Sequence, residues 1–277
     1  MAEPSLVDLR GADDAQNDDQ ASGGAQARSL RDYSMIIGIH VAVVALWQAA
    51  VDFWGISSFI LPSPLAMLGT LAKPDYHWFA NTFATAQEVV GGYALAVVLG
   101  VGIALVFSWS RILSLTLFPL FVTLNMIPKI ALGPLIIVWL GYGLGPNIVI
   151  TFAISFFPVL LNTLRGLGEV EPDLLDLVRA LKGSRWQLFT KVQLPGSLPY
   201  IFSGMKVAAI LAIAGAVVGE FIGSERGLGF LMIQVQTSLD TGAMFMAVVL
   251  LTLVGVGVYL ITIGLERLCV VKDARLR

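Results

Sequence analysis

The sequence has little of what catalytic and metal sites are built from. Its 277 residues include one cysteine, Cys269, and two histidines, His40 and His77, which show no ligand spacing. A single cysteine excludes a disulfide within the chain and a cysteine-based metal cluster. No Walker-type glycine-rich loop is present, so the chain does not bind ATP by that route. No His/Asp/Glu or Ser/His constellation recurs at one depth, which argues against a membrane-embedded enzyme.

Charge is also scarce. Only 13% of the residues are charged, 57% are hydrophobic and the mean hydropathy is +0.82. A soluble protein of this length cannot bury that much apolar surface, so the composition predicts an all-α polytopic membrane protein. The net charge of −2 says little about partners, because the charges are unevenly placed. We expect no nucleic-acid partner.

Residues 1–30 differ from the rest, because they are acidic and contain no apolar run. This composition predicts a disordered tail, either passive or binding a partner. The first hydrophobic stretch begins near Met35 and lacks a cleavage site, so it is not a signal peptide. We assign residues 31–277 to the membrane domain.

About six crossings follow from the apolar runs, since about 20 apolar residues span a bilayer. Residues 112–140 are too long for one simple crossing and are broken at Pro128, while residues 55–86 read as a polar connection. The predicted spans are 35–54, 87–107, 112–140 as one broken crossing, 147–164, 200–222 and 243–265.

The 17 lysines and arginines decide the orientation. With six spans and the N-terminus inside, only Lys73 and Arg226 fall outside, and Lys129 and Lys206 lie within spans. All the others are cytoplasmic, as the positive-inside rule requires. Both termini are therefore expected in the cytoplasm.

Small residues recur at every fourth position in two spans, which lets helix backbones approach closely in lipid. The contact could lie within one chain or between two subunits. The residues are Gly92, Ala96, Gly100 and Ala104, and then Gly204, Ala208, Ala212 and Ala216.

Polar residues inside the spans are candidates for a translocation pathway, because such groups avoid lipid. The alternative for each is a structural hydrogen bond. Gln48 and Glu88 are weaker candidates, Lys206 is expected to snorkel, and Glu220 could cap the loop 223–229. The pathway candidates are Asn125, Lys129, Ser155 and Asn162.

One long polar segment, residues 172–199, interrupts the otherwise hydrophobic sequence. Pro172 suits the start of a helix that Gly183 ends, and Ser184 caps a second helix with Gln187 completing a capping box. Apolar Trp186, Phe189 and Val192 follow, and Leu194-Pro195 is expected to stop the helix. We interpret this helix–turn–helix as a docking element that lies outside the lipid.

The segment resembles the cytoplasmic EAA loop of bacterial ABC-importer permeases, here residues 169–199. Asp176 stands at the Glu position, Leu177 and Val178 at the Ala positions, and Lys182 at the Gly position with Gly183 one residue late. LPSP at 61–64, IPKIALGPLIIVWLGYG at 127–143, FFPVLLNT at 156–163 and GLGF at 227–230 are similar to permeases of the nitrate/sulfonate/taurine type. The resemblance implies a type I, MetI-like fold.

The resemblance also implies partners in the bacterial inner membrane: a second copy of the chain, two cytoplasmic ATPase subunits that hold ATP and Mg²⁺, and an external solute-binding protein. This chain would hold no cofactor. Trp186 and Phe189 would anchor the loop in the ATPase, with Arg179, Lys182, Arg185 and Lys191 steering. The implied coupling residues are Asp176, Val178, Lys182, Gly183, Ser184, Arg185, Trp186, Phe189, Leu194 and Pro195.

The substrate is left open by the sequence. AQEVVGGYALA at 86–96, VVGEFIG at 217–223 and QVQTSLDT at 234–241 resemble permeases for the pyrimidine precursor of thiamine or for riboflavin. Nitrate, sulfonate, taurine and bicarbonate-type anions are alternatives. An ion-coupled secondary transporter is the alternative function, for which only Lys129 offers a mid-membrane coupling group.

Overall fold

The computed structural model describes residues 34–169 and 172–270, and within these ranges all regular structure is helical. The tail predicted at residues 1–30 lies outside the described residues. The chain divides into two compact units, residues 1–66 and 67–277. The helices are α1 (Ser34–Trp54), α2 (Pro64–Gly69), α3 (Trp78–Trp109), α4 (Arg111–Met126), α5 (Lys129–Leu140), α6 (Leu144–Gly168), α7 (Pro172–Ala180), α8 (Arg185–Leu188), α9 (Leu194–Gly223), α10 (Leu228–Thr237) and α11 (Thr241–Cys269).

The first unit is dominated by α1, whose 21 residues rise about 31 Å, enough to cross a bilayer. Its apolar side chains are largely exposed. Gln48 is satisfied locally: its Nε2 donates to Asp52 Oδ2 (2.9 Å) and its Oε1 accepts the Leu65 N–H (3.1 Å). Gln48 therefore has the structural role that was the alternative to a pathway role.

The core of the second unit forms where α3 and α9 pack against α6. A Cβ on Gly92 would lie 2.4 Å from the Thr151 side chain, and one on Gly204 would lie 2.9 Å from both the Asn162 Cβ and the Pro158 carbonyl oxygen. Gly100 is similarly close to Val159 (2.9 Å). Only glycine allows these approaches. Both small-residue stripes thus pack within the chain, which was the first of the two alternatives.

The predicted break in the third hydrophobic stretch is confirmed. Helices α4 and α5 are bent by 94° relative to each other, and the break falls at Ile127 and Pro128. Five further helices in the described ranges are long and apolar enough to cross a membrane, so the bent pair, taken as one span, brings the number to six.

The prediction that residues 55–86 are a connection is wrong at its end, because α3 begins at Trp78. Its first turns carry polar side chains that are buried and satisfied inside the protein. Asn81 donates to the Tyr76 carbonyl (2.9 Å) and accepts the Gly227 N–H (2.9 Å). A hydropathy profile counts Asn81 as polar and takes no account of these hydrogen bonds, so it places the start of the helix too late.

Two polar pairs tie α11 to its neighbours. The Tyr93 and Thr262 hydroxyl groups are 2.7 Å apart, and Lys206 Nζ lies 3.1 Å from both carboxylate oxygens of Glu266. A carboxylate on the neighbouring helix therefore neutralises the charge of Lys206, while the expectation that Lys206 snorkels stays a prediction.

Candidate functional site

The polar segment folds as a hairpin, residues 172–193, in which α7 is followed by a tight turn and α8. Lys182 adopts the left-handed conformation (φ 54°) that ends α7, and the Gly183 N–H donates to the Val178 carbonyl (2.9 Å). A Cβ on Gly183 would lie 2.6 Å from Val178 Cγ1. The late glycine thus serves close packing against Val178, while a lysine takes the strained position usually given to glycine.

The predicted capping box at the start of α8 is confirmed. The Gln187 N–H donates to Ser184 Oγ (3.2 Å), and the Ser184 N–H donates to Gln187 Oε1 (2.8 Å). These bonds satisfy backbone donors that a helix start leaves free, and they fix where Arg185 and Trp186 project.

The two aromatic residues of the hairpin have different environments. Trp186 is 60% exposed, whereas Phe189 is 9% exposed and packs with Leu160 and Leu167 of α6. Trp109, at the end of α3, contacts both rings, with centroids 5.7 Å from Trp186 and 5.5 Å from Phe189. The expectation that Phe189 offers its side chain to another protein is therefore corrected, because the chain buries it in its own core.

The expected stop at Leu194-Pro195 is also wrong. A π-helix, Phe189–Gln193, connects α8 directly to α9, and the Leu194 N–H donates to the Phe189 carbonyl. Pro195 directly follows this π-helix, so the backbone N–H that it lacks falls at the junction between two kinds of helix. The hairpin is consequently continuous with a membrane-spanning helix.

The hairpin surface combines exposed apolar and polar groups. Leu177 is 54% exposed and Leu181 is 74% exposed, although neither was singled out as a contact residue. Of the implied coupling residues, Val178, Gly183 and Leu194 are half-buried and Phe189 is buried. The exposed ones are Asp176, Lys182, Ser184, Arg185, Trp186 and Pro195.

Two of the pathway candidates meet at the break between α4 and α5. Lys129 Nζ donates to the Asn125 carbonyl (2.7 Å) and to Asn125 Oδ1 (2.6 Å). Both residues line a cavity of about 320 Å³ whose wall is otherwise apolar and rich in phenylalanine, including Phe121, Phe152 and Phe156. The arrangement presents a cation and an amide to an apolar, aromatic space.

The other two candidates do not line this cavity. Ser155 is fully buried in α6, and its hydroxyl has no hydrogen-bond partner among the described residues. Asn162 donates to the Pro158 carbonyl (2.8 Å). It also packs against Gly204, where an added Cβ would lie 2.9 Å from the Asn162 Cβ. Both positions belong to the contacts of α6.

At the end of α3 remote from the hairpin, the structure holds a polar network that the sequence reasoning largely missed. Glu220 accepts the Gly229 N–H, as the expected loop cap, and also Thr85 Oγ1–H (2.5 Å). Glu88 Oε1 accepts from Asn147 Nδ2 (2.8 Å). The spacing from Glu88 to Asn147 carries no local signal, so only the packing of α3 on α6 reveals the pair.

Asp240 clamps the start of α11 at the same end. Its carboxylate accepts from Lys73 Nζ (2.6 Å), from the Tyr76 hydroxyl (2.5 Å) and from the Ala243 N–H (3.0 Å). Burial raises the pKa of Asp240, but these hydrogen bonds outweigh it and hold the pKa below its ordinary value.

Comparison with known proteins gives a consistent set of similarities. A family model described as "Binding-protein-dependent transport system inner membrane component" matches residues 96–269. A probable ABC transporter permease protein of Haemophilus influenzae is 34% identical over 81% of this chain and 91% of its own length. The riboflavin transport system permease protein RibX of Chloroflexus aurantiacus is 33% identical over 90% and 95%. The formylaminopyrimidine transport permease protein ThiX of Halalkalibacterium halodurans is 30% identical over 77% and 86%.

Proposed function

The chain belongs to the family of binding-protein-dependent transport system inner membrane components, and from this premise we propose that its hairpin is the surface on which a separate ATPase subunit docks. The chain is the transmembrane permease subunit of an ATP-binding-cassette importer. A permease of this kind takes its energy from a partner, so one of its surfaces must receive that partner.

The exposed apolar residues of the hairpin carry the proposal. Leu177, Leu181 and Trp186 are large, half or more exposed, and lie in the most polar segment of the membrane domain. Lipid does not cover such a segment, and aromatic residues commonly dominate interface energetics. Lys182 and Arg185 are exposed on the same hairpin and would steer an acidic partner.

The contacts of the hairpin explain how its movement would reach the membrane. Phe189 packs against α6, Trp109 brings the end of α3 against the hairpin, and the π-helix continues into α9. A displacement of the hairpin by the ATPase would therefore move three packed helices together. This is a rigid-body change of the kind used in alternating access.

The proposed assembly is a homodimer of this chain with two cytoplasmic ATPase subunits, which hold ATP and Mg²⁺, and an external solute-binding protein. Both chain termini and the hairpin would face the cytoplasm. The positive-inside distribution of lysine and arginine supports this orientation.

For the cargo, we propose that Lys129 and Asn125 line the pathway, with Ser155 and Asn162 supporting the helix contacts around it. The phenylalanine-rich cavity beside Lys129 suits a flat heteroaromatic solute, as the riboflavin and formylaminopyrimidine relatives transport. A small anion such as nitrate or a sulfonate would use Lys129 alone.

The test is Trp186→Ala in the assembled importer. Loss of an interface hot spot costs about 2 kcal/mol or more, which is roughly a 30-fold loss of affinity for the ATPase. ATP-driven uptake should fall while membrane insertion is unchanged. Trp54→Ala, which removes a tryptophan of the first unit that is 71% exposed, is the matched control. Equal uptake by both variants and the native chain would contradict the docking role.

A further inference from the structure

Two carboxyl groups are buried together inside the membrane domain. Glu88 on α3 is 2% exposed and Glu220 on α9 is 1% exposed. Thr85, one turn before Glu88 on α3, donates to Glu220. Asn147, which donates to Glu88, lies against Gly219, the residue before Glu220. Glu88 lies 21 residues before Trp109 on the same helix, and at 1.5 Å per residue this places it about 31 Å away from the hairpin contact. The pair therefore occupies the opposite end of the helices.

The two carboxyl groups differ in the donors that reach them. Glu220 accepts from the Thr85 hydroxyl and from the Gly229 backbone, which is the pattern of an ionised carboxylate at the start of a helix. Glu88 has one donor, Asn147, on Oε1. In the described part of the chain, no N–H or O–H group donates to Glu88 Oε2, although that atom is buried.

No cation compensates the pair within the described residues. Helices α3, α6, α9 and α10 bring neither lysine, arginine nor histidine into contact with either carboxyl group. Tyr142, Glu225 and Arg226 share a cavity of about 430 Å³ with Glu88, but none of them hydrogen-bonds to it there. The hydroxyl group of Tyr93, further along α3, is engaged with Thr262.

We propose that Glu88 and Glu220 bind one proton between them, with Glu88 donating an O–H from Oε2 to the Glu220 carboxylate. Two buried negative charges without a counter-ion are strongly unfavourable, whereas one shared proton removes a charge and supplies the missing donor. The proton would hold α3 against α9 and against the start of α10. Its release would place two negative charges in contact and open this end of the helices.

Infrared spectroscopy of the full chain, in a detergent without ester carbonyl groups, tests the proton directly. At neutral pH the native chain should show the C=O stretching band of a protonated carboxyl group, and Glu88→Gln should lose it. Asp75→Asn removes an exposed carboxylate near the same end and should keep the band. A native spectrum without the band, or a band unchanged in Glu88→Gln, would overturn the proposal.

Thermal unfolding across pH separates a shared proton from simple packing. Glutamine at position 88 resembles the protonated acid and can donate to Glu220, so Glu88→Gln should keep its melting temperature at alkaline pH. The native chain and Asp75→Asn should both melt at lower temperature there. Parallel curves for the native chain and Glu88→Gln would count against the proton, whatever the outcome for transport.

Discussion

Replacing Gly183 by alanine would test how the hairpin is held in its docking shape. The new Cβ would lie 2.6 Å from Val178 Cγ1 and 3.1 Å from the Val178 carbonyl oxygen, both closer than ordinary contact. Either the valine rotates or the turn opens. Overpacking of this kind costs about 1–3 kcal/mol, which is roughly a 5- to 150-fold rise in the population of the open hairpin.

Hydrogen exchange of the Gly183 and Gln187 amides gives that population, because both N–H groups are bonded only when the turn and capping box are closed. Gly183→Ala should lose protection by this factor, and adding Val178→Ala should restore most of it by removing the clashing methyl group. Unchanged protection in Gly183→Ala would refute the reasoning, and so would a double variant no better protected than the single one.

Three further predictions concern separate parts of the chain. Phe189→Ala should destabilise the protein by up to about 3–5 kcal/mol, since it empties a core position; a melting temperature no lower than that of Trp186→Ala would contradict this. Because the pKa of Asp240 is lowered in the folded chain, its contribution to stability is present above the unfolded-state pKa and is lost as pH falls through the folded value. Melting curves of Asp240→Asn should therefore be less sensitive to acid. Lys129→Gln should reduce ATP-driven uptake without weakening ATPase binding. Unchanged uptake with weakened ATPase binding would contradict the proposal that Lys129 lines the pathway.

Local signals in the sequence predicted the local structure well. The Ser184 capping box and the break at Pro128 depend on side-chain chemistry within a few residues, so their patterns can be read directly. The glycine and alanine stripes were also visible, but the sequence could not say which helix they meet.

Features that depend on long-range packing could not be predicted from the sequence. Asn81 is polar, yet its bonds to Tyr76 and Gly227 let α3 begin earlier than hydropathy suggests. Phe189 and Trp186 look equivalent as aromatic residues in one hairpin, and only the position of α6 decides that one is core and the other surface. The pairing of Glu88 with Glu220 joins residues of two helices that no local pattern connects.

The most direct test of the account is to see which partner the hairpin touches. A photoreactive amino acid in place of Leu181, at the exposed tip of the hairpin, should crosslink to the ATPase subunit in the assembled importer. The same group in place of the exposed Tyr142, in the cavity beside Glu88, should not. Crosslinking of the ATPase from Tyr142 and not from Leu181 would contradict the central claim.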